Sequence, residues 1–146
     1  MPDVFTKEKS SEVMSLIRNK GTTKEKRLLG LVAESLSPEW DIQENVRRLP
    51  GVPDILIPSL RLVIFANGCF YHLCPIHGRI PNSNRDYWEP KLIANRRRDI
   101  RNHRKLRAMG LSVWQFWEHD LEGRLLLRTA RVLDRRLSRR RDAIGV

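Results

Sequence analysis

Acidic residues are in short supply. Only 17 Asp+Glu face 28 Lys+Arg across 146 residues, leaving a formal net charge of +11. That imbalance attracts polyanions, so nucleic acid is the first expectation and an acidic membrane surface its rival. Cysteine is nearly absent: Cys69 and Cys74 are the only two, and they share one short segment. A disulfide-stapled scaffold is thereby excluded, and in an intracellular protein such a pair beside histidines points to metal. No apolar run approaches the roughly 20 residues that cross a bilayer. The opening MPDVFTKEKS has no apolar signal-peptide core, so a cytoplasmic, nucleoid-associated protein is expected. Internal repeats are missing as well, which excludes a solenoid.

What is present is a globular composition, 40% hydrophobic, in a chain of single-domain length. Residues 1–20 are polar and read as an N-terminal arm with a short helix over 12–18; residues 21–146 read as one domain. Thr22-x-x-Glu25 has the form of a capping box, and Leu28, Leu29, Val32, Ala33 and Leu36 then mark one helix face. Pro38 helps to end that helix.

A short strand is expected over residues 40–43, a second over 54–57 and a third, RLVIFA, over 61–66. The turn between the last two predicts an antiparallel hairpin. Residues 67–84 read as an ordered loop. A long helix follows from Asp86 to about Met109, with Trp88, Leu92, Ile93, Ile100, Leu106 and Met109 as its apolar positions. Residues 111–117 form a further strand and 120–141 a second basic helix. Helices alternating with strands in this order predict an α/β fold, a mixed sheet flanked by helices.

Chemistry concentrates in two places. Asp54 opens a strand directly after Gly51-Val52-Pro53, where a carboxylate can hold a divalent cation against a phosphate; capping a turn is the plainer alternative. Downstream, Cys69, His72, Cys74 and His77 fall within nine residues. The C-x4-C-x2-H spacing of Cys69, Cys74 and His77 suits three ligands of a structural zinc. His72 or His119 can supply the fourth. His119 is preferred, because it staples the last strand to the loop and leaves His72 for proton transfer.

His103 sits among arginines and reads as solvated or phosphate-facing. Lys91, Arg96, Arg97, Arg98, Arg101, Arg104, Lys105 and Arg107 oppose the single acid Asp99, and residues 124–141 carry eight arginines against Asp134. Stripes of one sign suit phosphate contact. Phe70, Tyr71 and Trp88 flank the loop, where aromatic rings either pack around the zinc or wedge between base steps.

Together, Pro53-Asp54, the run Val63–His72 (VIFANGCFYH), Asn84–Trp88 (NRDYW), Lys91–Asn95 (KLIAN), Arg98-Asp99 and Trp117-Glu118 resemble the very-short-patch repair (Vsr-type) DNA mismatch endonucleases. The resemblance runs from about Met14 to His119. It implies a restriction-endonuclease-like α/β fold, a structural zinc, and a magnesium-dependent nick 5′ to the T of a T:G mismatch. By position it makes Asp54 the metal-binding aspartate and His72 the catalytic histidine, and it places Glu25 at the active site. Asp99 takes the position of an aspartate supporting a second active-site histidine.

The resemblance also makes Phe70, Tyr71 and Trp88 the DNA-wedging aromatics, and it puts Cys69, Cys74 and His119 at or near the zinc positions, with His77 completing the set. Arg96 and Arg97 are expected DNA contacts. The departures are Asn67 in place of the second histidine, Ala66 as the residue whose carbonyl faces the magnesium, Tyr71 in place of a Trp, a shorter loop after His72, and His119 in place of a Cys. The implied partner is mismatched double-stranded DNA, bound by a monomer. Two alternatives stand beside it: a restriction or defence nuclease cutting both strands, and a zinc-stapled DNA-binding protein with an impaired active site.

Overall fold

The computed structural model describes residues 23–145. The arm over residues 1–20, its short helix and Thr22 lie outside the described residues. Helix α1, Lys24–Ser35, is capped by Thr23, whose hydroxyl accepts from Lys26 N–H at 3.3 Å. The cap therefore falls one residue later than the Thr22 expected. With Thr23 as cap the third helical residue is Lys26, so a reciprocal box with Glu25 does not form. Leu28, Leu31, Val32 and Leu36 are buried, while Ala33 is exposed. Leu31 replaces Ala33 on the inner face because positions 28, 31, 32 and 36 share one side of a 3.6-residue period.

The sheet has four strands in the order β1 (Gln43–Glu44), β2 (Ile55–Ile57), β3 (Leu62–Asn67), β4 (Ser112–Trp117). β1 is shorter and later than residues 40–43, since Trp40 and Ile42 pack against the core instead of entering a ladder. β2 and β3 are antiparallel, as the tight connection predicts. That connection is a 3-10 turn over Pro58–Leu60, closed by Arg61 at φ +48. β3 and β4 run parallel, from Leu62↔Ser112 to Asn67↔Trp117. The crossover between them contains the zinc-type loop and helix α2, Arg85–Ala108.

Alternation along β3 divides the core. Leu62, Ile64 and Ala66 face one layer, with α1 and α3 (Leu125–Ile144); Val63 and Phe65 face the other, with Leu106 of α2. The result is an α/β/α sandwich with β3 buried along its whole length. No helix among the described residues is long and apolar enough to cross a membrane.

The two basic helices differ from expectation in opposite ways. α2 buries only Leu92 and Leu106; Ile100 and Met109 are exposed. It is held at its ends and bares most of its length. The last helix starts at Leu125, not at residue 120, because Glu118–Leu121 forms a separate 3-10 turn. It buries Leu126, Ala130, Leu133 and Leu137, and some of its arginines are structural. Arg140 donates to the carbonyls of Leu60 and Arg61, and Arg136 stacks 4.2 Å from the Trp114 ring centroid. Those side chains are committed to the fold rather than to phosphate.

Candidate active site and metal centre

A cleft of about 240 Å³ opens where β3 ends, between the start of α1 and the middle of α2. Lys24, Glu25, Asp54, Ala66, Asn67, His72 and Asp99 all line it. The turn before Asp54 is built tightly. Gly51 takes φ +77, and a Cβ there would come within 3.2 Å of the Asn102 side chain. Val52 takes φ +49, a costly conformation for a β-branched residue, so backbone strain is held at the cleft wall.

Asp54 Oδ2 accepts from the Ala66 N–H at 2.7 Å, which ties the start of β2 to the end of β3. Burial pushes the Asp54 carboxyl above its ordinary value, and the nearby charge of Glu25 adds to the rise. Burial also pushes Glu25 up, but a 2.7 Å bond from Lys24 Nζ, with that lysine's charge, outweighs it and holds Glu25 below its usual value. Two carboxylates and a strand-end main chain in one cleft offer hard oxygen donors, the kind magnesium prefers.

His72 Nδ1 lies 2.5 Å from Asp99 Oδ2. The resemblance attached Asp99 to the position now held by Asn67. Here Asp99 pairs with His72, and the Asn67 amide donates to Gln115 Oε1 at 3.0 Å. With Nδ1 engaged by a carboxylate, Nε2 is the nitrogen left to exchange a proton or bond a phosphate. His103 is not solvated as expected. It is half-buried with its ring 5.0 Å from Phe65, and burial lowers its pKa. It lines a smaller chamber of about 120 Å³ behind the pair, with Arg96 and Gln115.

A second constellation lies at the other side of the Gly68–His72 segment. One donor atom from each of Cys69, Cys74, His77 and His119 lies within 4.8 Å of the rest. His119 Nδ1 is 3.3 Å from Cys69 Sγ, 3.6 Å from Cys74 Sγ and 3.2 Å from His77 Nδ1. Tetrahedral zinc with ordinary Zn–S and Zn–N bonds gives ligand–ligand edges of roughly 3.3–3.8 Å; the three His119 distances match that range closely, and Cys74 Sγ to His77 Nδ1, at 4.0 Å, needs only a small inward shift. Asp120 Oδ1 lies 3.5 Å from His119 Nε2, the outer contact expected of a ligating histidine. The Ile76 N–H points at Cys74 Sγ, 3.4 Å away. Gly78 closes the loop, and a Cβ there would sit 2.5 Å from the Cys74 backbone.

Phe70, Tyr71 and Trp88 meet edge to face, with Phe70 about 5 Å from each of the other two. Tyr87 extends the cluster, and Tyr71 and Tyr87 are more than half exposed. Lys91 Nζ lies over the Tyr87 and Trp88 rings. Arg96 and Arg97 part company: Arg96, itself exposed, borders the His72–Asp99 chamber, whereas Arg97 lies on another face with Pro90 and Arg101. Sequence reasoning missed Lys24, Tyr87 and Gln115. A polar Gln115 between Val113 and Trp117, in an otherwise apolar stretch of strand, was the available signal for the last.

An α/β sandwich whose carboxylate-and-imidazole cleft lies under a bare basic helix has the build of a phosphodiester-cutting nuclease. The family model described as DNA mismatch endonuclease Vsr matches residues 2–76. The chain is 39% identical to the Type II nicking enzyme V.XorIIP of Xanthomonas oryzae pv. oryzae, over 92% of this chain and 98% of that protein. It is 35% identical to the Type II nicking enzyme V.NmeAIP of Neisseria meningitidis, over 99% and 100%. It is also 35% identical to the DNA mismatch endonuclease Vsr of Escherichia coli, over 85% of this chain and 78% of that protein. The chain belongs to the Vsr family of DNA endonucleases. It is a DNA endonuclease with a restriction-endonuclease-like fold.

Proposed function

We propose that the protein nicks one strand of duplex DNA at a T:G mismatch, on the strand carrying the T, with magnesium in the Asp54 cleft and zinc on Cys69, Cys74, His77 and His119. The observation that carries this is the single cleft joining Asp54, Glu25 and the His72–Asp99 pair. The names of the relatives, nicking enzymes and a mismatch endonuclease, support one-strand incision.

Asp54 and the Ala66 carbonyl would hold the magnesium, which when bound supplies Lewis-acid polarisation of the phosphate and activation of a water. His72 moves a proton or donates to the phosphate through Nε2, with Asp99 fixing the ring. Asn67 takes no proton; its amide holds Gln115 and so the join between β3 and β4. Phe70, Tyr71 and Trp88 offer ring faces and edges to a disturbed base step, and Arg97 and Lys91 offer charge to the backbone. One such cleft among the described residues suits a monomer acting on one strand.

The test uses matched and T:G-mismatched duplexes, with Mg²⁺ or EDTA and the strands labelled separately. A magnesium-dependent nick confined to the T strand is expected. Asp54→Ala should lower the rate at least ~1,000-fold while DNA affinity changes little. Cleavage of both strands of a fixed palindrome would replace this reading with that of a restriction enzyme.

A further inference from the structure

Lys24 occupies a place that stability does not explain. It is the first residue of α1, where the helix dipole opposes a cation. Thr23 already caps the helix. A salt bridge to its sequence neighbour Glu25 contributes little to folding. Yet the side chain is held, 27% exposed, with Nζ 2.7 Å from Glu25 Oε1. Its Cε passes 4.0 Å from the position a Cβ on Gly68 would take, so the chain lies across the cleft mouth. Among the described residues, Lys24 is the one lysine or arginine lining the cleft with Asp54 and His72. Its charge favours the ionised form of Asp54.

Resting on the nuclease reading above, we propose that Lys24 is a catalytic residue whose ammonium binds a non-bridging oxygen of the scissile phosphate, with Glu25 as its positioning residue. Water adds to phosphorus and the P–O3′ bond breaks. One water proton ends on the leaving O3′, and the other is lost from the new 5′-phosphate. Lys24 keeps its proton throughout and meets the charge that gathers on the phosphoryl oxygens, where a preorganised donor contributes most. With the Asn67 amide tied to Gln115, the cleft has a single imidazole, and Lys24 adds a cationic donor for the phosphate beside it.

The experiment compares the full chain with Lys24→Met, Lys24→Arg and Asp54→Ala on a duplex the wild type nicks. It reads the single-turnover rate at saturating enzyme, the Kd for the same duplex in Ca²⁺, and the melting temperature. Lys24→Met should slow the single-turnover step about 100-fold or more, change Kd less than about threefold, and melt at or above the wild-type temperature. Lys24→Arg should recover most of the rate.

A Lys24→Met rate within about threefold of wild type overturns the proposal. So does a loss expressed wholly as weaker binding, and so does a lower melting temperature that arginine does not restore. The controls keep the two readings apart. A dead Asp54→Ala beside a normal Lys24→Met removes the role of Lys24 alone; a normal Asp54→Ala removes the Asp54 metal reading whatever Lys24 does.

Discussion

Asp54 illustrates how a single side chain trades stability for chemistry. Its carboxyl is raised by burial and by Glu25, more than the Ala66 N–H offsets. The folded state therefore holds that proton more tightly than the unfolded chain. Below the ordinary carboxylate value both states are protonated and nothing is lost. As pH climbs through the raised value, ionisation costs folding free energy, and the cost is complete above it. Asp54→Asn in EDTA should thus melt above the wild type at about pH 7, and the gap should close by about pH 3; scanning calorimetry of both proteins across that range is the check. At this scale the sequence was most legible where residue types are rare. Two cysteines and four histidines admit few arrangements: the loop spacing pointed to Cys69, Cys74 and His77, and the structure brings His119, the preferred fourth, to the same place. Lys24 and Gln115 escaped notice because lysine and glutamine are common, and only their surroundings mark them.

Between elements, the contrast of α2 with α3 separates two uses of arginine. Both helices read as basic stripes. Burial, which composition does not give, tells them apart: α3 inserts four leucine-or-alanine turns into the core, and α2 only Leu92 and Leu106. Arg97→Ala on α2 should weaken DNA binding on all sequences alike and reduce the slope of log K against log salt by about 0.9, measured by anisotropy over a salt series. Arg140→Ala on α3 should leave that slope unchanged and cost about 1–2 kcal/mol of stability, because the Leu60 carbonyl loses its partner. Strand positions were legible to within a residue or two from apolar runs. β1 was not, since Trp40 and Ile42 joined the core without joining a ladder. The Thr22 cap failed for a local reason: two adjacent threonines offer equivalent hydroxyls, and sequence alone does not choose between them.

For the molecule as a whole, the α/β class was readable from element order, while the layering followed only once β3 proved buried on both faces. The zinc-type cluster draws together the loop after β3 and the turn after β4, which lie about fifty residues apart. A metal there acts on the fold itself. Metal analysis should find one zinc per chain. Cys74→Ser should lose it, lower the melting temperature by on the order of 10 °C and carry nicking away with it, because Gly68 and His72 hang from the same segment. The net charge of +11 belongs to this scale also. It speeds encounter with DNA from any direction, whereas under the proposed function the choice of a strand rests with the Asp54 cleft.

The parallel pairing of β3 with β4 acts as a ruler. Its register runs unbroken from Leu62↔Ser112 to Asn67↔Trp117, so the places where the strands end are counted in residues. Ala66 sits one step before the end of β3, Cys69 two steps beyond it, and His119 two steps beyond β4. Substitutions along the strands change what fills the core but leave this count alone. Insertion or deletion of one residue within β4 shifts everything after it by about 3.3 Å and turns each inward side chain outward. Length between Ser112 and His119 is therefore the quantity this scaffold can least vary, a constraint on descendants and designers alike.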